Sequence, residues 1–417
     1  MIRSLTRLKE LNRHPRMLLA LPAAAAAVTV LATGVASVPA LAATTGTATL
    51  TASDGNAFDV FGQSTAISRN GHVAVVGSPL HHGTAGAAYV FTSHGHGFSQ
   101  SAELTPPKAD SGDQLGTSAA ISGDSQTVVA GADGANNGAG AAFVFSDRSG
   151  SWTRIAELVA KRSLAAGVSV AISADASTIV VTAPFVNKQA GAAYVFTKSG
   201  STYKQAQKLT LQASGIALLG FDAAVSADGS TIVLGAPLIS NQAGAAEVFT
   251  KSGTTWTHTA RLIGANTAAP DNFGITVAVS GSGTTVAVGS PSSNGGDGSA
   301  YVFTKSGRTF TQASQVLPPA GTSGAGAGQS IGISSDGSVV AFGAGQLNHD
   351  AGAVFVATQT KGIFAVTATD TAPNPAPGDE LGFVNVSTAV AGNGSAIISG
   401  ARGRNNQTGA AFVFPVS

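Results

Sequence analysis

Short apolar runs, each entered from a glycine and bounded by polar turn residues, recur along the chain at a nearly constant interval. The first of them reads Gly86-Ala-Ala-Tyr-Val-Phe91. β-branched and aromatic residues concentrated in so short a run predict a buried strand and not a helix. Close copies of this phrase begin at Gly140, Gly191, Gly244, Gly298, Gly352 and Gly409. Intervals from 51 residues (Gly140 to Gly191) to 57 residues (Gly352 to Gly409) indicate one supersecondary unit copied along the chain.

Each period contains four strand-length segments separated by turn residues. In the first period these segments run over 61–68, 73–77, 86–91 and 98–104. The first two are joined by Asn70-Gly71, and such pairs favour two-residue hairpins because both central residues need positive φ. Four antiparallel strands per period, in seven copies, predict an all-β fold, namely a seven-bladed β-propeller of four-stranded antiparallel blades.

The two ends of the chain complement each other in this scheme. The last phrase is followed only by Pro415-Val-Ser417, so the last blade lacks an outer strand of its own. Leu50 stands twelve residues before the first glycine of its period, as Leu104 does in the next. We therefore expect 44–52 to supply the missing strand, which closes the ring and leaves no half-blade with an open edge.

The N-terminal residues have the three parts of an export signal. Basic residues up to Arg16 precede an apolar stretch over 17–38, and Ala40-Leu41-Ala42 matches a small-x-small cleavage site. We expect a signal peptide over 1–42 and a mature, secreted or cell-surface chain over 43–417. An uncleaved membrane anchor is the alternative, because the apolar stretch is long enough to span a bilayer.

Charge and cysteine content exclude several functions. Removing five bases and one acid with the signal leaves 22 − 5 = 17 bases and 21 − 1 = 20 acids, a net charge of −3. No basic cluster follows residue 42, so we expect no nucleic-acid partner, and no membrane partner once the signal is removed. The absence of cysteine excludes disulfides, thiolate metal sites and a cysteine nucleophile. We expect a monomer held together by core burial and ring closure.

Several short motifs resemble a known repeat. Phe61-Gly62, Gly77-Ser-Pro79, the phrase 86–91 and the stretch Trp256 to Leu262 together resemble the bacterial FG-GAP repeat, which is similar to the blades of the integrin alpha-chain head. The resemblance covers 44–417. It implies a seven-bladed propeller engaged in extracellular binding or adhesion, and it names no ligand, since one fold hosts many functions.

Metal binding is considered at two places. Integrin-type blades often carry an acid-rich calcium loop, but here each first turn, such as Asp228-Gly229, offers at most one carboxylate, so we expect a tight hairpin and no calcium. No other motif predicts a cofactor. His72, His94 and His96 fall in turns at one end of the first blade, where they could converge on one zinc or copper ion. Alternatively, they are ordinary exposed turn histidines.

The opposite end of each period carries the longer loops, and function concentrates on loops held by rigid scaffolds. Asparagines stand three or four residues before the phrase glycine in most periods, with charged residues nearby. These side chains could form a ring that binds a sugar or peptide. Alternatively, Asn occurs there because it tolerates left-handed turns. The candidate ligand-binding residues are Asp133, Asn137, Lys188, Asn241, Asn294, Asn348, Arg402, Arg404 and Asn405.

These features favour a non-catalytic extracellular binding or adhesion module that recognises a protein or glycan through its long-loop face. One alternative is a secreted polysaccharide lyase or hydrolase, although the loops carry amides and glycines more than clustered acids, His or Arg. Another is a structural protein of the cell envelope. Gly328-Gln-Ser330-Ile-Gly332 matches a nucleophile motif, but Gly62-Gln-Ser64 occupies the same place in the first period, so we expect no catalytic residue.

Overall fold

The computed structural model describes residues 46–95, 97–106, 110–161, 163–211, 215–383 and 386–416. The expected signal peptide over 1–42 and its cleavage site lie outside the described residues, as do Thr44 and His96. Within the described ranges, no helix has both the length and the apolar character needed to cross a membrane.

The described chain forms seven four-stranded antiparallel sheets, which confirms the predicted all-β seven-bladed propeller. Each sheet is one blade. Blade 1 consists of β2 (Ser64–Ile67), β3 (Val73–Ser78), β4 (Ala87–His94) and β5 (Gly97–Leu104). Blade 2 consists of β6 (Leu115–Ile121), β7 (Thr127–Ala132), β8 (Ala141–Arg148) and β9 (Ser151–Leu158). Blade 3 consists of β10 (Val170–Ile172), β11 (Thr178–Thr182), β12 (Ala193–Ser199) and β13 (Thr202–Leu209).

The remaining blades repeat this order from the innermost strand outward. Blade 4 consists of β14 (Ala223–Val225), β15 (Thr231–Ala236), β16 (Ala245–Ser252) and β17 (Thr255–Leu262). Blade 5 consists of β18 (Thr276–Val279), β19 (Thr285–Ser290), β20 (Ser299–Ser306) and β21 (Thr309–Val316). Blade 6 consists of β22 (Ile331–Ile333), β23 (Val339–Gly343), β24 (Val354–Thr360) and β25 (Ile363–Asp370). Blade 7 consists of β26 (Thr388–Val390), β27 (Ala396–Ala401), β28 (Ala410–Pro415) and β1 (Ala48–Leu50).

A short turn joins the second and third strands of every blade. Blade 5 has a 3-10 turn at Asn294–Gly296. The other blades have single helical turns, which are α1 (His81–Thr84), α2 (Ala135–Gly138), α3 (Val186–Gln189), α4 (Ile239–Gln242), α5 (Leu347–Asp350) and α6 (Arg404–Gln407). We call the end of the ring that carries these turns, together with the loops between blades, the long-loop face.

The ring closes as the sequence predicts. The first strand pairs antiparallel with the last, so that Ala48 lies opposite Val413 and Leu50 opposite Ala411. Blade 7 therefore contains segments from both ends of the described chain, and we call this pairing the seam. Closure in this way gives the third strand of the last blade the same outer partner that every other blade has.

Neighbouring blades cover each other and bury the middle of every sheet. Val75 and Val76 alternate in direction along β3, yet both are fully buried, because the strand has a blade on each side. Aromatic side chains fill the space between blades: the rings of Phe61 and Tyr89 lie 5.6 Å apart, between blades 7 and 1. The outer strand β5 instead alternates between exposed and half-buried positions.

Successive blades approach each other backbone to backbone. A Cβ atom on Gly77 would lie 2.0 Å from the carbonyl oxygen of Gly116 in the next blade, and Gly116 itself has a φ of +93°. Only glycine fits both requirements. The hydroxyl of Ser64 then donates to the same carbonyl at 2.8 Å. The recurrent glycines of the sequence are therefore the points where blades are joined.

The end opposite the long-loop face is tied together by the first turns of the blades. Gly123 N donates to Ala174 O at 2.9 Å, which links blade 2 to blade 3, and Asn393 N donates to Arg69 O at 2.8 Å, which links blade 7 to blade 1. The same donation recurs from Ala174 to Ala227, Ala227 to Gly281, Gly281 to Ser335, and Ser335 to Gly392. These bonds thus hold neighbouring blades together at the end of the ring opposite the long-loop face.

Candidate functional site

The long-loop face is built by pairing each helical turn with the loop that leads to the next blade. In blade 1, Gly112 N donates to Thr84 O at 3.1 Å, and the hydroxyl of Ser111 donates to Gly83 O at 2.8 Å. These bonds join α1 to the loop between blades 1 and 2. Hydrogen bonds to the loop between blades therefore hold this turn in place.

Two successive residues in each helical turn have left-handed backbone angles. In α2 they are Asn136 and Asn137, with φ of 54° and 59°. Asn is the residue other than glycine that adopts this conformation most readily. The remaining turns place His82 and Gly83, Asn187 and Lys188, Ser240 and Asn241, Asn348 and His349, and Asn405 and Asn406 in the same conformation. The left-handed backbone thus accounts for the asparagines, as one of the two interpretations of the sequence proposed.

Six of the predicted ligand-binding residues are nonetheless exposed, one in each of blades 2 to 7. We call them the tip residues. They are Asn137, Lys188, Asn241, Asn294, Asn348 and Asn405. Their side chains lie on turns whose backbone is fixed, so the arrangement is able to bind a polar ligand. The Asn294 amide also donates within its own turn, to Gly298 O at 3.3 Å. Whether it does so stays a prediction.

Arg402 lies on the same face but is largely engaged within the protein. Its Nε donates to Glu380 Oε2 at 2.8 Å, and its Nη1 donates to Gln63 Oε1 at 2.9 Å, across the junction of blades 7 and 1. Its guanidinium lies 4.8 Å from the ring centre of Phe383. Only 14% of the Arg402 side chain is exposed, so this residue holds the junction together.

Arg404 and Asp133 are also bonded internally. Arg404 Nη1 donates to Asp379 Oδ2 at 2.7 Å, and its Nη2 donates to Pro373 O at 2.8 Å. Asp133 Oδ1 accepts a hydrogen bond from the hydroxyl of Thr117 at 2.8 Å. Burial raises the pKa of Asp133 above its ordinary value, although the Thr117 hydroxyl opposes this. These three charged residues are less available to a ligand than the tip residues are.

One tip residue borders a cavity. Asn294 and Asp297 line a space of about 240 Å³ together with Leu317 and the following loop through Ser323. Leu317 is 52% exposed, as is Ile263 (55%) at the corresponding position after the outer strand of blade 4. A second space of about 260 Å³ lies on the ring axis and is lined by innermost-strand residues such as Ile121 and Val225. Only the first of these two combines polar and apolar groups on the long-loop face.

The carboxylates of the first turns are used within those turns. Asp228 Oδ1 accepts hydrogen bonds from the hydroxyl of Ser226 at 2.6 Å and from Ser230 N at 2.9 Å. The corresponding bonds from Ser334 and Ser338 hold the pKa of Asp336 below its ordinary value. These contacts are what the tight-hairpin interpretation of the turns requires.

The histidines proposed as a metal site lie on the opposite end from the long loops. Ser93 N donates to His72 O at 2.8 Å, so the first turn of blade 1 meets the end of β4, where His94 lies. Both histidines are exposed. The third proposed ligand, His96, is outside the described residues, so this proposal remains a prediction.

A different pair of histidines lies at the start of α1, on the long-loop face beside the seam. His81 is buried, and each of its ring nitrogens faces a carboxylate: Nδ1 lies 2.7 Å from Asp59 Oδ2, and Nε2 lies 3.2 Å from Asp54 Oδ2. Burial disfavours the charged form of Asp54, but the Tyr89 hydroxyl and the charge of His81 outweigh it, so the pKa of Asp54 lies below its ordinary value. The phenol of Tyr89 donates to Asp54 Oδ1 at 2.9 Å.

His82 extends this cluster toward solvent. Its Nε2 lies 2.9 Å from Glu103 Oε1, and its ring centre lies 3.8 Å from that of His81. Asp54, His81, His82 and Glu103 each offer one ligand atom, and these atoms all lie within 4.8 Å of one another. We call these four residues the His/Asp cluster. Only the turn histidines of blade 1 were considered from the sequence, and this pair was not chosen.

A loop-closing carboxylate supports the cluster and recurs in other blades. Asp59 Oδ2 accepts a hydrogen bond from Asn56 N at 2.7 Å. Asp271 and Asp379 accept the same bond from a backbone N–H three residues earlier, at 2.8 and 2.9 Å. In blade 7 this carboxylate binds Arg404, and in blade 1 it binds His81. The shared loop-closing acid therefore has different side-chain partners in blades 1 and 7.

The fold and the loop arrangement define a closed β-propeller of seven like blades. Three stretches match the family model of the FG-GAP repeat, over residues 44–91, 98–145 and 256–303. Each match begins at or near the outer strand of one blade and ends in the third strand of the next. The chain is an FG-GAP repeat β-propeller.

Solved structures of other proteins have a similar fold. The β-propeller domain of Myceliophteria thermophila Cps50 (Swd1) has a TM-score of 0.59 at 10% identity, covering 89% of this chain and 100% of that chain. Kuenenia stuttgartiensis hydrazine synthase has a TM-score of 0.59 at 10% identity, covering 88% of this chain and 97% of that chain. At such identity the likeness concerns the fold alone. No curated protein matches the sequence.

Proposed function

We propose that this protein is an exported, extracellular binding module that recognises a protein or glycan through the tip residues of its long-loop face. The observation that carries the proposal is the exposure of one polar side chain on the fixed turn of each of blades 2 to 7. The module acts as a monomer, and its mechanism is reversible recognition without covalent chemistry.

The chemistry of the tips suits a polar ligand. Five of the six are amides, which both donate and accept hydrogen bonds, and Lys188 adds one positive charge. The left-handed turns hold these groups in place before a ligand arrives, which lowers the entropic cost of binding. The cavity beside Asn294 adds an apolar surface at Leu317, so a ligand with both polar and apolar parts fits this sector best.

The test removes the polar groups while keeping residues that favour the left-handed backbone of the turns. Glycine adopts left-handed angles without strain, so each tip residue is replaced by glycine in one six-site variant: Asn137→Gly, Lys188→Gly, Asn241→Gly, Asn294→Gly, Asn348→Gly and Asn405→Gly. The purified protein and this variant are screened on arrays of glycans and extracellular proteins. We expect the variant to lose at least tenfold in affinity for whatever the protein binds.

The matched control carries the same change at the other end of the ring. Ser149 and Lys361 have φ of 57° and 52° and are exposed in outer hairpins. Ser149→Gly/Lys361→Gly should therefore bind as the parent does. Equal binding by the six-site variant and the parent contradicts the proposal. Turnover of a bound polymer would favour the enzyme alternative instead.

A further inference from the structure

We propose that the His/Asp cluster binds one divalent transition-metal ion, with zinc as the best match, and that the ion fastens the seam of the ring to blade 1. This site is independent of the tip residues and does not rest on the proposed function. It uses four side chains from three separate segments: Asp54 from the loop after β1, His81 and His82 from α1, and Glu103 from β5.

The donor set suits zinc. Two imidazole nitrogens and two carboxylate oxygens are ligands that zinc accepts in a tetrahedral arrangement at about 2.0–2.2 Å. Ligand atoms of such a tetrahedron lie about 3.3 Å from one another. The His81–Asp54 and His82–Glu103 pairs are already at 3.2 and 2.9 Å, and all four atoms lie within 4.8 Å.

The remaining adjustment falls on side chains that are partly exposed. Asp54 is 41% exposed, His82 is 46% exposed and Glu103 is 28% exposed. Rotation, mainly of His82 and Glu103, brings the ligand atoms inward by at most the roughly 1.5 Å that separates the 4.8 Å bound from the tetrahedral spacing. His81, which is buried, needs no movement.

The position of His81 suits a metal ligand whose second ring nitrogen is bonded to an outer carboxylate. A neutral imidazole has one N–H, but both ring nitrogens of His81 face carboxylate oxygens. If Nδ1–H donates to the buried Asp59, the Nε2 lone pair points at Asp54, and a cation between them removes the conflict. A carboxylate that accepts the second N–H of a ligating histidine is the usual outer partner of a zinc site.

Asp54 is also supported. The phenol of Tyr89 donates to Oδ1 of Asp54 at 2.9 Å, which leaves Oδ2 facing His81. Asp59 is fixed in turn by Asn56 N. Both inner ligands therefore have a fixed outer partner, as preorganised metal sites do.

Blade 5 shows that the fold does not require this chemistry. At the positions of Asp54, His81, His82 and Glu103, it carries Asn266, Ser293, Asn294 and Gln315, each 212 residues later (266 − 54, 293 − 81, 294 − 82 and 315 − 103). There, Tyr301 donates to Asn266 Oδ1 at 2.9 Å, as Tyr89 does to Asp54. Neutral residues thus complete the same junction, so the imidazoles and carboxylates of blade 1 need another explanation.

The position of the site gives the ion a structural consequence. Asp54 follows the strand that closes the ring, whereas His81, His82 and Glu103 belong to blade 1. An ion bound to all four links the closing segment to the neighbouring blade. Because it binds the folded chain only, it stabilises that chain in proportion to the logarithm of its concentration above the dissociation constant.

The test is a zinc chloride titration of the purified protein against a chromogenic chelator, combined with thermal unfolding with zinc and with EDTA. We expect one zinc per chain and a higher midpoint temperature with zinc. His82→Asn/Glu103→Gln changes only exposed side chains to those of blade 5 and should weaken zinc binding at least about 100-fold. His72→Asn/His94→Asn is the control and should leave zinc affinity and the midpoint shift unchanged.

Two outcomes overturn the proposal. If the parent binds no more zinc than His82→Asn/Glu103→Gln does, then His81 is a charged bridge between two carboxylates and holds no metal. If His72→Asn/His94→Asn loses the zinc instead, the ion belongs to the turn histidines at the other end of the blade.

Discussion

Blades 1 and 5 have nearly the same junction with the preceding blade but different chemistry. In both, a tyrosine hydroxyl donates at 2.9 Å to the oxygen of an Asx residue, Asp54 in blade 1 and Asn266 in blade 5. In both, a glutamine accepts a backbone N–H at the junction, Gln100 at 3.0 Å and Gln312 at 2.9 Å. Only blade 1 adds two imidazoles and two carboxylates to this frame.

The comparison distinguishes residues that hold the ring together from residues that are specific to blade 1. The tyrosine, the loop-closing acid and the phenylalanine packed on the tyrosine are common to both blades, with ring centres 5.6 Å apart in blade 1 and 5.2 Å in blade 5. These residues hold neighbouring blades together. Residues that depart from the shared pattern while the surrounding contacts are kept are candidates for a specific function.

The largest expected effect comes from moving the chemistry of blade 1 into blade 5. The graft Asn266→Asp, Ser293→His, Asn294→His and Gln315→Glu places the four ligands beside Asp271, which already occupies the position of Asp59. Because the tyrosine and glutamine hydrogen bonds of the two junctions are shared, we expect zinc bound per chain to rise from one to two, measured by chelator competition.

The control for the graft omits the buried change. The three-residue version without Ser293→His lacks the ligand that an outer carboxylate supports, and it should bind the second zinc at least about tenfold more weakly. A fully folded four-residue graft that binds no second ion, while blade 1 binds the first, would mean that the two frames are less alike than their hydrogen bonds indicate.

Blade 4 differs from blades 1 and 5 at one buried position, where we expect a smaller effect. Ser64 in blade 1 and Thr276 in blade 5 donate their hydroxyls to the next blade, but blade 4 has Asp222 at this place. Asp222 accepts hydrogen bonds from Ser169 Oγ at 2.9 Å and Val277 N at 2.9 Å. Its burial raises its pKa to about 7, and these hydrogen bonds only partly oppose the shift.

Asp222 should therefore make the protein less stable as pH rises. The folded chain keeps the Asp222 proton up to about pH 7, whereas the unfolded chain releases it near the ordinary value of 3.8. Between these values the folded state binds more protons, so the free energy of unfolding falls with rising pH, by at most about 4 kcal/mol. Asp222→Asn should flatten this slope in urea unfolding at pH 4.5 and 7.5, while Ser64→Ala should leave it in place.

The smallest effects compare the two loop-closing acids. Asp271→Asn weakens the bond to the Ala268 N–H, and we expect a loss of about 1 kcal/mol in the free energy of unfolding. Asp59→Asn should cost a similar amount without zinc but also weaken zinc binding about 10- to 100-fold, because Asp59 orients His81. Equal zinc affinity in Asp59→Asn and the parent would show that His81 does not depend on this carboxylate.

The period of the sequence predicted the architecture in detail. The regular spacing of the phrase glycines predicted seven blades, and the pairing of Leu50 with Ala411 confirms the closure inferred from the missing outer strand. The prediction succeeded because every blade packs against its neighbours in the same way. The repeat also made the recurrence of asparagine interpretable, because a left-handed backbone recurs in each turn.

The contacts that distinguish one blade from another were harder to predict. Arg402 was expected to face a ligand, but it stacks on Phe383 and binds Glu380, and no repeat position indicates those contacts. The His/Asp cluster joins segments that are far apart in sequence. A usable signal did exist: aligning the periods places His81 where blade 5 has Ser293, opposite a shared acid.

Because the seam brings the two ends of the described chain together, the same ring could be built from a chain that begins in a different blade. Gly46 lies beside Pro415, since a Cβ on that glycine would be 3.7 Å from the proline ring. A brief linker between those two places would give a continuous circle of polypeptide. New ends could then be opened at an outer hairpin such as the one at Gly150, where added atoms meet no neighbour within 4 Å. A circular permutant made in this way would retain all seven sheets, with a different blade completed by the joining of the ends.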